Sequence, residues 1–244
     1  MFNKEKILAN IDISRLELEL HEIVGSTNDL CREAKLNKDF LVISADKQTK
    51  GRGRQGKKWS SPSGNISFSI AFEYNKPEIP ISLIAGVIAQ SAISEALRAK
   101  NIKLKWPNDL IYKNKKIGGI LVEKDEIGKK TKTVVGIGIN LALEEKEPWW
   151  GDLRSFNSIN ARDNILNNMI KGFYAFMDDE LNDWKRLWEE NCAHTNKRIK
   201  IIHNNQIIDE GIFSGINEKG ALIIDSGGDL KEYKYGEISI EGIY

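Results

Sequence analysis

The sequence predicts an α+β fold, a mixed sheet flanked by helices and followed by a small β-barrel. Three observations predict it. Up to Trp188, apolar runs of strand type are interleaved with stretches of helical periodicity. From Arg198 onward the pattern changes to short strands at regular intervals, separated by Asn204-Asn205, Glu218-Lys219-Gly220 and Gly227-Gly228. No internal repeat, low-complexity tract or long linker interrupts the chain, so one large unit over residues 1–194 and one small all-β unit over residues 195–244 are expected.

The elements follow in order. Leu16, Leu18 and Leu20 alternate with Glu17 and Glu19, a period of two that marks a half-buried strand leading to Gly25. Ser26 can cap the next helix, with Asp29 three residues on as the capping acid and good helix formers through Lys35. Residues 40–45 are a short apolar run of the buried-strand kind, whereas residues 46–64, rich in Gly, Lys, Arg and Ser, show no periodicity and read as a long loop. Ile66, Phe68, Ile70 and Phe72 alternate with Ser67, Ser69 and Ala71 as another strand, and residues 81–99, apolar nearly all round, form a buried helix. Strands over residues 102–106, 110–112, 117–123 and 133–141 are split by turn signals at Pro107-Asn108 and Lys113-Asn114. Leu166, Ile170, Phe173, Met177, Leu181, Trp184 and Trp188 recur at steps of three or four, which predicts one long amphipathic helix.

Composition limits what such a fold can do. With 36 basic and 35 acidic residues the net charge is +1, so no global field argues for a nucleic-acid or membrane partner, and any charge-based function must be local. Cys31 and Cys192 each lie in a helical stretch without a cysteine or histidine at ligand spacing, which argues against a disulfide framework and a zinc site. The first ten residues lack an apolar core of the signal-peptide kind, and the longest apolar run, around residues 79–93, is too short and polar-interrupted to span a bilayer. A cytoplasmic address and no membrane partner are the expectations.

The aperiodic loop is the first candidate site. Gly51, Gly53 and Gly56 have the Gly-x-Gly-x-x-Gly spacing of a dinucleotide fingerprint, but Lys57-Lys58-Trp59-Ser60-Ser61-Pro62 cannot start the helix whose amides would face a pyrophosphate. Its distinguishing residues are instead Arg52 and Arg54 between the glycines, with Gln48 upstream and Trp59 downstream. Arginine offers a planar, permanently charged fork for carboxylate, phosphate or ureido oxygens, and glycine lets the backbone approach a ligand. A small anionic ligand and a solvated basic loop grazing RNA both fit this loop taken alone.

Three further stretches favour the ligand. Lys105-Trp106-Pro107-Asn108-Asp109 would present an amide and a carboxylate at a strand end. Lys116-Ile117-Gly118-Gly119-Ile120-Leu121-Val122-Glu123 opens a strand with a cation and two glycines, a pattern of close backbone approach. In Val135-Gly136-Ile137-Gly138-Ile139-Asn140, two glycines share one strand face and leave room there.

Taken in order, these stretches resemble the biotin protein ligase family. Its Gly-Arg-Gly-Arg-x-Gly loop is matched by residues 51–56, its Lys-Trp-Pro-Asn-Asp by 105–109, its Lys-x-x-Gly-Ile-Leu-x-Glu by 116–123 and its Gly-x-Gly-Ile-Asn by 136–140. Ser26-Thr27-Asn28 and Gln48 match in place, and the end of the chain, with Gly220-Ala221-Leu222 and Gly236-Glu237-Ile238-Ser239, is similar to the family's SH3-like C-terminal domain. The resemblance covers nearly the whole chain except residues 144–160, where only Trp150 with Leu153 is similar to the family's adenylate-covering loop.

The resemblance implies a class II synthetase-like catalytic domain that activates biotin with ATP, Mg²⁺ arriving with the nucleotide rather than in a protein cage, and transfers it to a lysine of a biotin carboxyl carrier domain. It implies Lys116 and Arg54 as catalytic residues. Ser26, Thr27, Asn28, Gln48, Gly51, Arg52, Gly53, Arg54, Lys116, Gly119, Gly136 and Gly138 would surround biotin. Arg52, Arg54, Lys105, Asn108, Asp109, Lys116, Asn140 and Trp150 would hold the nucleotide. Only about 25 residues precede the Ser-Thr-Asn helix, against the roughly 60 that a winged helix-turn-helix needs, so DNA binding is not expected. Family members often pair through the edge of the sheet, so the resemblance allows a homodimer, while the sequence itself leaves the oligomeric state open. Lipoate ligases share the chemistry but carry an Arg-Arg-x-Ser-Gly-Gly-Gly type loop absent here. An RNA-binding platform would need aromatics interleaved with the basic loop, which supplies only Trp59.

Overall fold

The computed structural model describes residues 2–76, 78–128, 130–144, 147–204, 206–234 and 238–241. Asn205 of the expected turn, and Gly236 and Glu237 of the Gly-Glu-Ile-Ser stretch, lie outside the described residues. A mixed seven-stranded sheet is built from β1 (Leu16–Val24), β2 (Phe40–Gln48), β3 (Ile66–Glu73), β4 (Lys103–Lys105), β5 (Asp109–Tyr112), β6 (Lys115–Ile127) and β7 (Lys130–Ile139), in the order β1-β2-β3-β7-β6-β5-β4. Only β1 and β2 run parallel; the other pairs are antiparallel. The α+β class is thus as expected, with longer β2 and β6 than the apolar runs alone mark out.

Helices cover both faces of this sheet. After the single turn α1 (Lys4–Ile7), α2 (Thr27–Glu33) packs on one face, where Cys31, Leu41, Ile43, Ala71 and Val134 form a small core. It ends two residues before Lys35, and the Lys132 ammonium donates to the carbonyls of Arg32 (3.0 Å) and Ala34, satisfying groups that a helix end leaves open. α3 (Ile81–Leu97) and α4 (Arg162–Met177) pack on the opposite face over the main core. There Phe68 stacks on Phe173 at 6.3 Å between ring centroids. β3 is therefore buried on both sides, Phe68, Ile70 and Phe72 toward α4 and Ser67, Ser69 and Ala71 toward α2. The small residues let the first turn of α2 lie close to the sheet.

The long helix expected over residues 164–188 is two helices, α4 and α5 (Trp184–Glu190). Two features end α4 where the apolar periodicity continues. Asp178 turns to a two-pronged ion pair with Arg15 (2.8 and 2.9 Å), and Asp179 takes a left-handed φ of 57°.

β8 (Arg198–His203), β9 (Gln206–Ile216), β10 (Leu222–Asp225), β11 (Leu230–Tyr233) and β12 (Ile238–Glu241) form an antiparallel sheet in the order β11-β10-β9-β8-β12, the expected SH3-like unit. Its apolar face is continuous with the main core. Trp106 Nε1 donates to the Gly220 carbonyl at 3.0 Å, and Trp188 meets Phe213 at 6.3 Å. Gly220 has φ +75° and presses on Pro80 and Leu83, so the junction depends on a residue without a side chain there. Among the described residues no helix is long and apolar enough to cross a membrane.

The same junction encloses His194, fully buried beside Phe213 (5.8 Å), with neither ring nitrogen hydrogen-bonded. Burial, together with the charges of Lys105 and Lys197, pushes its pKa from 6.5 down to about 3. Between these values the unfolded chain binds a proton that the folded chain refuses, so stability falls as pH falls, by at most about 1.4 kcal/mol per unit from this group. The urea midpoint of the parent protein is expected to drop more between pH 7 and pH 5 than that of His194→Leu; equal drops would show that His194 titrates normally.

Candidate active site

One cavity of about 500 Å³ lies over the sheet, beneath the loop that follows β2. The strand ends explain why it forms there. β3, β6 and β7 meet below it through Ser67, Gly119 and Gly138, which pair side by side across the sheet and leave its surface low. The first turn of α2, the β4–β5 turn, residues 149–150 and Ile240 of the C-terminal sheet supply the walls.

One wall is a connected polar network at the start of α2. Ser26 caps this helix, its hydroxyl accepting from the Asp29 amide at 3.4 Å. Gln48 Oε1 accepts from the amide and hydroxyl of Thr27 (2.9 and 3.1 Å), while its Nε2 donates to Ser61 (2.9 Å). Ser69 is 2.7 Å from the Thr27 hydroxyl and donates to Asn28 Oδ1 at 2.6 Å, and Asn28 Nδ2 donates to Glu123 at 2.8 Å. Each polar group thus has a fixed direction in a site where an unpaired one would be costly.

The loop over this network is a tight hairpin. The Gly53 amide donates to the Lys57 carbonyl (2.6 Å), and the Trp59 amide donates to that of Gly51 (2.9 Å). A Cβ on Gly51 would lie 2.5 Å from the Trp59 carbonyl, so this glycine is required by the hairpin's own closure, and it does not line the cavity. Trp59 lies across the floor: a Cβ on Gly138 would come within 2.5 Å of its ring, and one on Gly119 within 3.4 Å.

The opposite end of the cavity is cationic. Lys116 Nζ is 2.5 Å from Asp109 Oδ1 and 5.6 Å from the centre of the Trp59 ring. Arg54 Nη1 donates to Asn108 Oδ1 at 3.3 Å, and Asn108 Nδ2 donates to the Ile120 carbonyl at 2.8 Å. Burial lowers the pKa of the Arg54 guanidinium, and the Asp109 charge opposes that shift. Lys105 is buried in the same wall. Residues 149–151 run beside the start of β6: the Lys116 amide donates to the Trp149 carbonyl (3.0 Å), and the Gly151 amide to that of Lys116 (2.7 Å). Trp149 and Trp150 thereby reach the cavity rim. Asn140 sits beneath them, its amide donating to the Gly151 carbonyl at 3.1 Å.

The sequence-predicted residues therefore gather around one cavity, with two differences in role. Gly51 shapes the hairpin from behind. Arg52, expected over an anionic ligand beside Arg54, lines the cavity but commits its guanidinium to Glu123 (3.0 and 3.1 Å), with a further bond to Asp29. Two carboxylates behind the loop hold it more strongly than an open cavity would. Ser69 and Glu123 are parts of the site to which the sequence assigns no role, and Trp59, marked there only as a neighbour of the loop, forms part of the floor. Glu123 closes the 116–123 stretch, whereas Ser69 reads only as the polar face of a strand.

Residues 21–140 match the biotin/lipoate A/B protein ligase family, and residues 194–240 match the biotin protein ligase C-terminal domain. The chain is similar to the bifunctional ligase/repressor BirA of Escherichia coli, 30% identical over 98% of this chain and 78% of that protein. The biotin--[acetyl-CoA-carboxylase] ligase of Mycobacterium tuberculosis is 25% identical over 91% of this chain and 88% of its own. Among solved structures, the biotin protein ligase of Aquifex aeolicus in complex with biotin and ATP superposes with a TM-score of 0.75 at 27% identity, over 92% of this chain and 98% of that one. With a family match on each side of the α5–β8 junction, and with the cavity formed where the matched stretches converge, the chain belongs to the biotin/lipoate A/B protein ligase family, as a biotin protein ligase.

Proposed function

We propose that this protein activates biotin with ATP as biotinyl-5′-AMP and transfers the biotinyl group to a lysine of a biotin carboxyl carrier domain. The observation that carries this reading is the polarity of one cavity: fixed hydrogen-bonding groups at one end, Lys116 and Arg54 at the other, and a glycine floor between. A bicyclic ureido compound with an acidic tail suits that distribution. Thr27, Asn28 and Gln48 would meet the ureido ring, Trp59 and the glycines its apolar body, and Lys116 its carboxylate.

In the first step a biotin carboxylate oxygen attacks the α-phosphorus of ATP, and pyrophosphate leaves. Two anions must meet, so a fixed cation at the meeting point lowers the barrier as charge builds. Lys116 is assigned that role, with Arg54 and Lys105 adding positive charge and Trp150 covering the adenylate. Asp109, the one carboxylate on the cavity wall among the described residues, fits a Mg²⁺ ion that keeps most of its waters and arrives with the phosphates, where it would offset their charge. In the second step the acceptor lysine amine attacks the acyl carbonyl and AMP leaves.

Mass spectrometry of the protein after incubation with biotin and ATP is expected to show bound biotinyl-AMP, and excess lipoate should not reduce it. Lipoyl-AMP in its place would move the chain to the sister activity. Arg54→Gly is expected to form the adenylate but lose its grip on it, raising biotin label on bystander proteins by about tenfold, the scale of one charge-assisted contact. Label confined to the carrier domain in that variant would remove Arg54 from the retention of the intermediate.

A further inference from the structure

Glu123 lies outside the cavity lining, yet residues from three directions converge on its carboxylate. Asn28 reaches it from the first turn of α2 (2.8 Å), Arg52 from the root of the hairpin loop (3.0 and 3.1 Å) and Arg32 from the last turn of α2 (3.5 Å). Its side chain is 18% exposed and sits on β6, where its backbone pairs with Val134 of β7.

Two consequences follow from the chemistry of a carboxylate. It is acceptor-only, so it fixes which end of the Asn28 amide is the donor and turns Oδ1 toward Ser69 and the cavity floor. It also fixes Arg52 by a two-pronged pair. Residue 52 bridges to Lys58 across the hairpin and directly precedes Gly53, whose amide closes it, so a fixed Arg52 holds both strands that carry Arg54 and Trp59. We propose that Glu123 is a positioning residue for biotin activation, acting through Asn28 on the ligand's ring and through Arg52 on the loop that retains the adenylate.

This rests on the ligase reading of the cavity. Glu123→Gln replaces an acceptor with a donor facing Arg52 or Asn28. It is expected to raise the KM for biotin about tenfold, while changing the kcat of adenylate formation far less, and to release biotinyl-AMP that labels bystander proteins. Arg52→Gln should leak to a similar extent, and the double variant no more than either single one, because both cut the same link. Arg32→Gln touches the same carboxylate but not the loop, and it should keep KM and leakage within about twofold of the parent.

A parent-like KM and no leakage in Glu123→Gln would overturn the proposal, as would equal leakage from Arg32→Gln, which would mark a general loss of packing. Should Glu123→Gln fail to fold, Arg52→Gln alone carries the test, and tight retention by it would likewise overturn the proposal. Failure of the parent protein to form biotinyl-AMP at all would instead remove the ligase reading on which this one stands.

Discussion

Lys116→Ala is expected to lower the rate of biotinyl-AMP formation by at least about a thousandfold, the upper end of what one preorganised charge contributes to a transition state. The residue is held where such a charge is needed, at the start of β6, its ammonium 2.5 Å from Asp109 and over the Trp59 ring. The pair also sets the cost to the fold. Lys116 and Asp109 are only 18% and 12% exposed, so deleting the lysine strands a carboxylate in the wall and destabilises the protein more than a strand-edge lysine at the surface would. Loss of activity could then be confused with loss of structure. The double variant Lys116→Ala/Asp109→Asn separates the two: removing the stranded charge should recover most of the melting temperature but none of the adenylation. Adenylation at more than a tenth of the parent rate in either variant would take Lys116 out of the chemistry.

Much of this site was legible in the sequence because its parts are short contiguous strings whose residue types are demanding. A lysine followed by two glycines, or two glycines on one strand face, restricts the backbone as well as the chemistry, and Lys116, Gly119, Gly136 and Gly138 all line the cavity. What was not legible is which neighbour each side chain chooses. Arg52 and Arg54 are two residues apart with identical chemistry and both line the cavity, yet one guanidinium is held by two acids and the other by the Asn108 amide, a division set by Asp29 and Glu123 on distant segments. Ser69 was equally hidden, since a serine alternating with phenylalanines reads as the solvent face of a strand until α2 covers it. In the fold, periodicity carried through the break between α4 and α5 because both helices bury the same kind of stripe, and the break depends on Arg15, far away in the chain. Apolar patterning reports which face is buried; it does not report where an acidic residue leaves the helix for a tertiary partner.

Gly136→Ala is expected to weaken biotin binding by about a hundredfold or more, although the change adds a single methyl group. A Cβ at this position would collide with the side-chain amide of Asn28, and the size of the effect depends on whether that amide can yield. Its freedom is small, because Oδ1 accepts from Ser69 at 2.6 Å and Nδ2 donates to Glu123 at 2.8 Å. Shifting it therefore either breaks a charge-assisted hydrogen bond or moves the first turn of α2, each worth about 1.5–3 kcal/mol. The backbone of Gly136 itself has no left-handed φ, so the penalty comes from space and not from strain. The matching change at Gly138 meets the Trp59 ring rather than a hydrogen-bonded amide, so it breaks no charge-assisted bond of the polar wall and should cost less. Isothermal titration of biotin into both variants tests the ranking. A Gly136→Ala protein that binds biotin as the parent does would show that the Asn28 amide is free to move, and with it that the polar wall of this cavity is not the rigid template that recognition of a ureido ring requires.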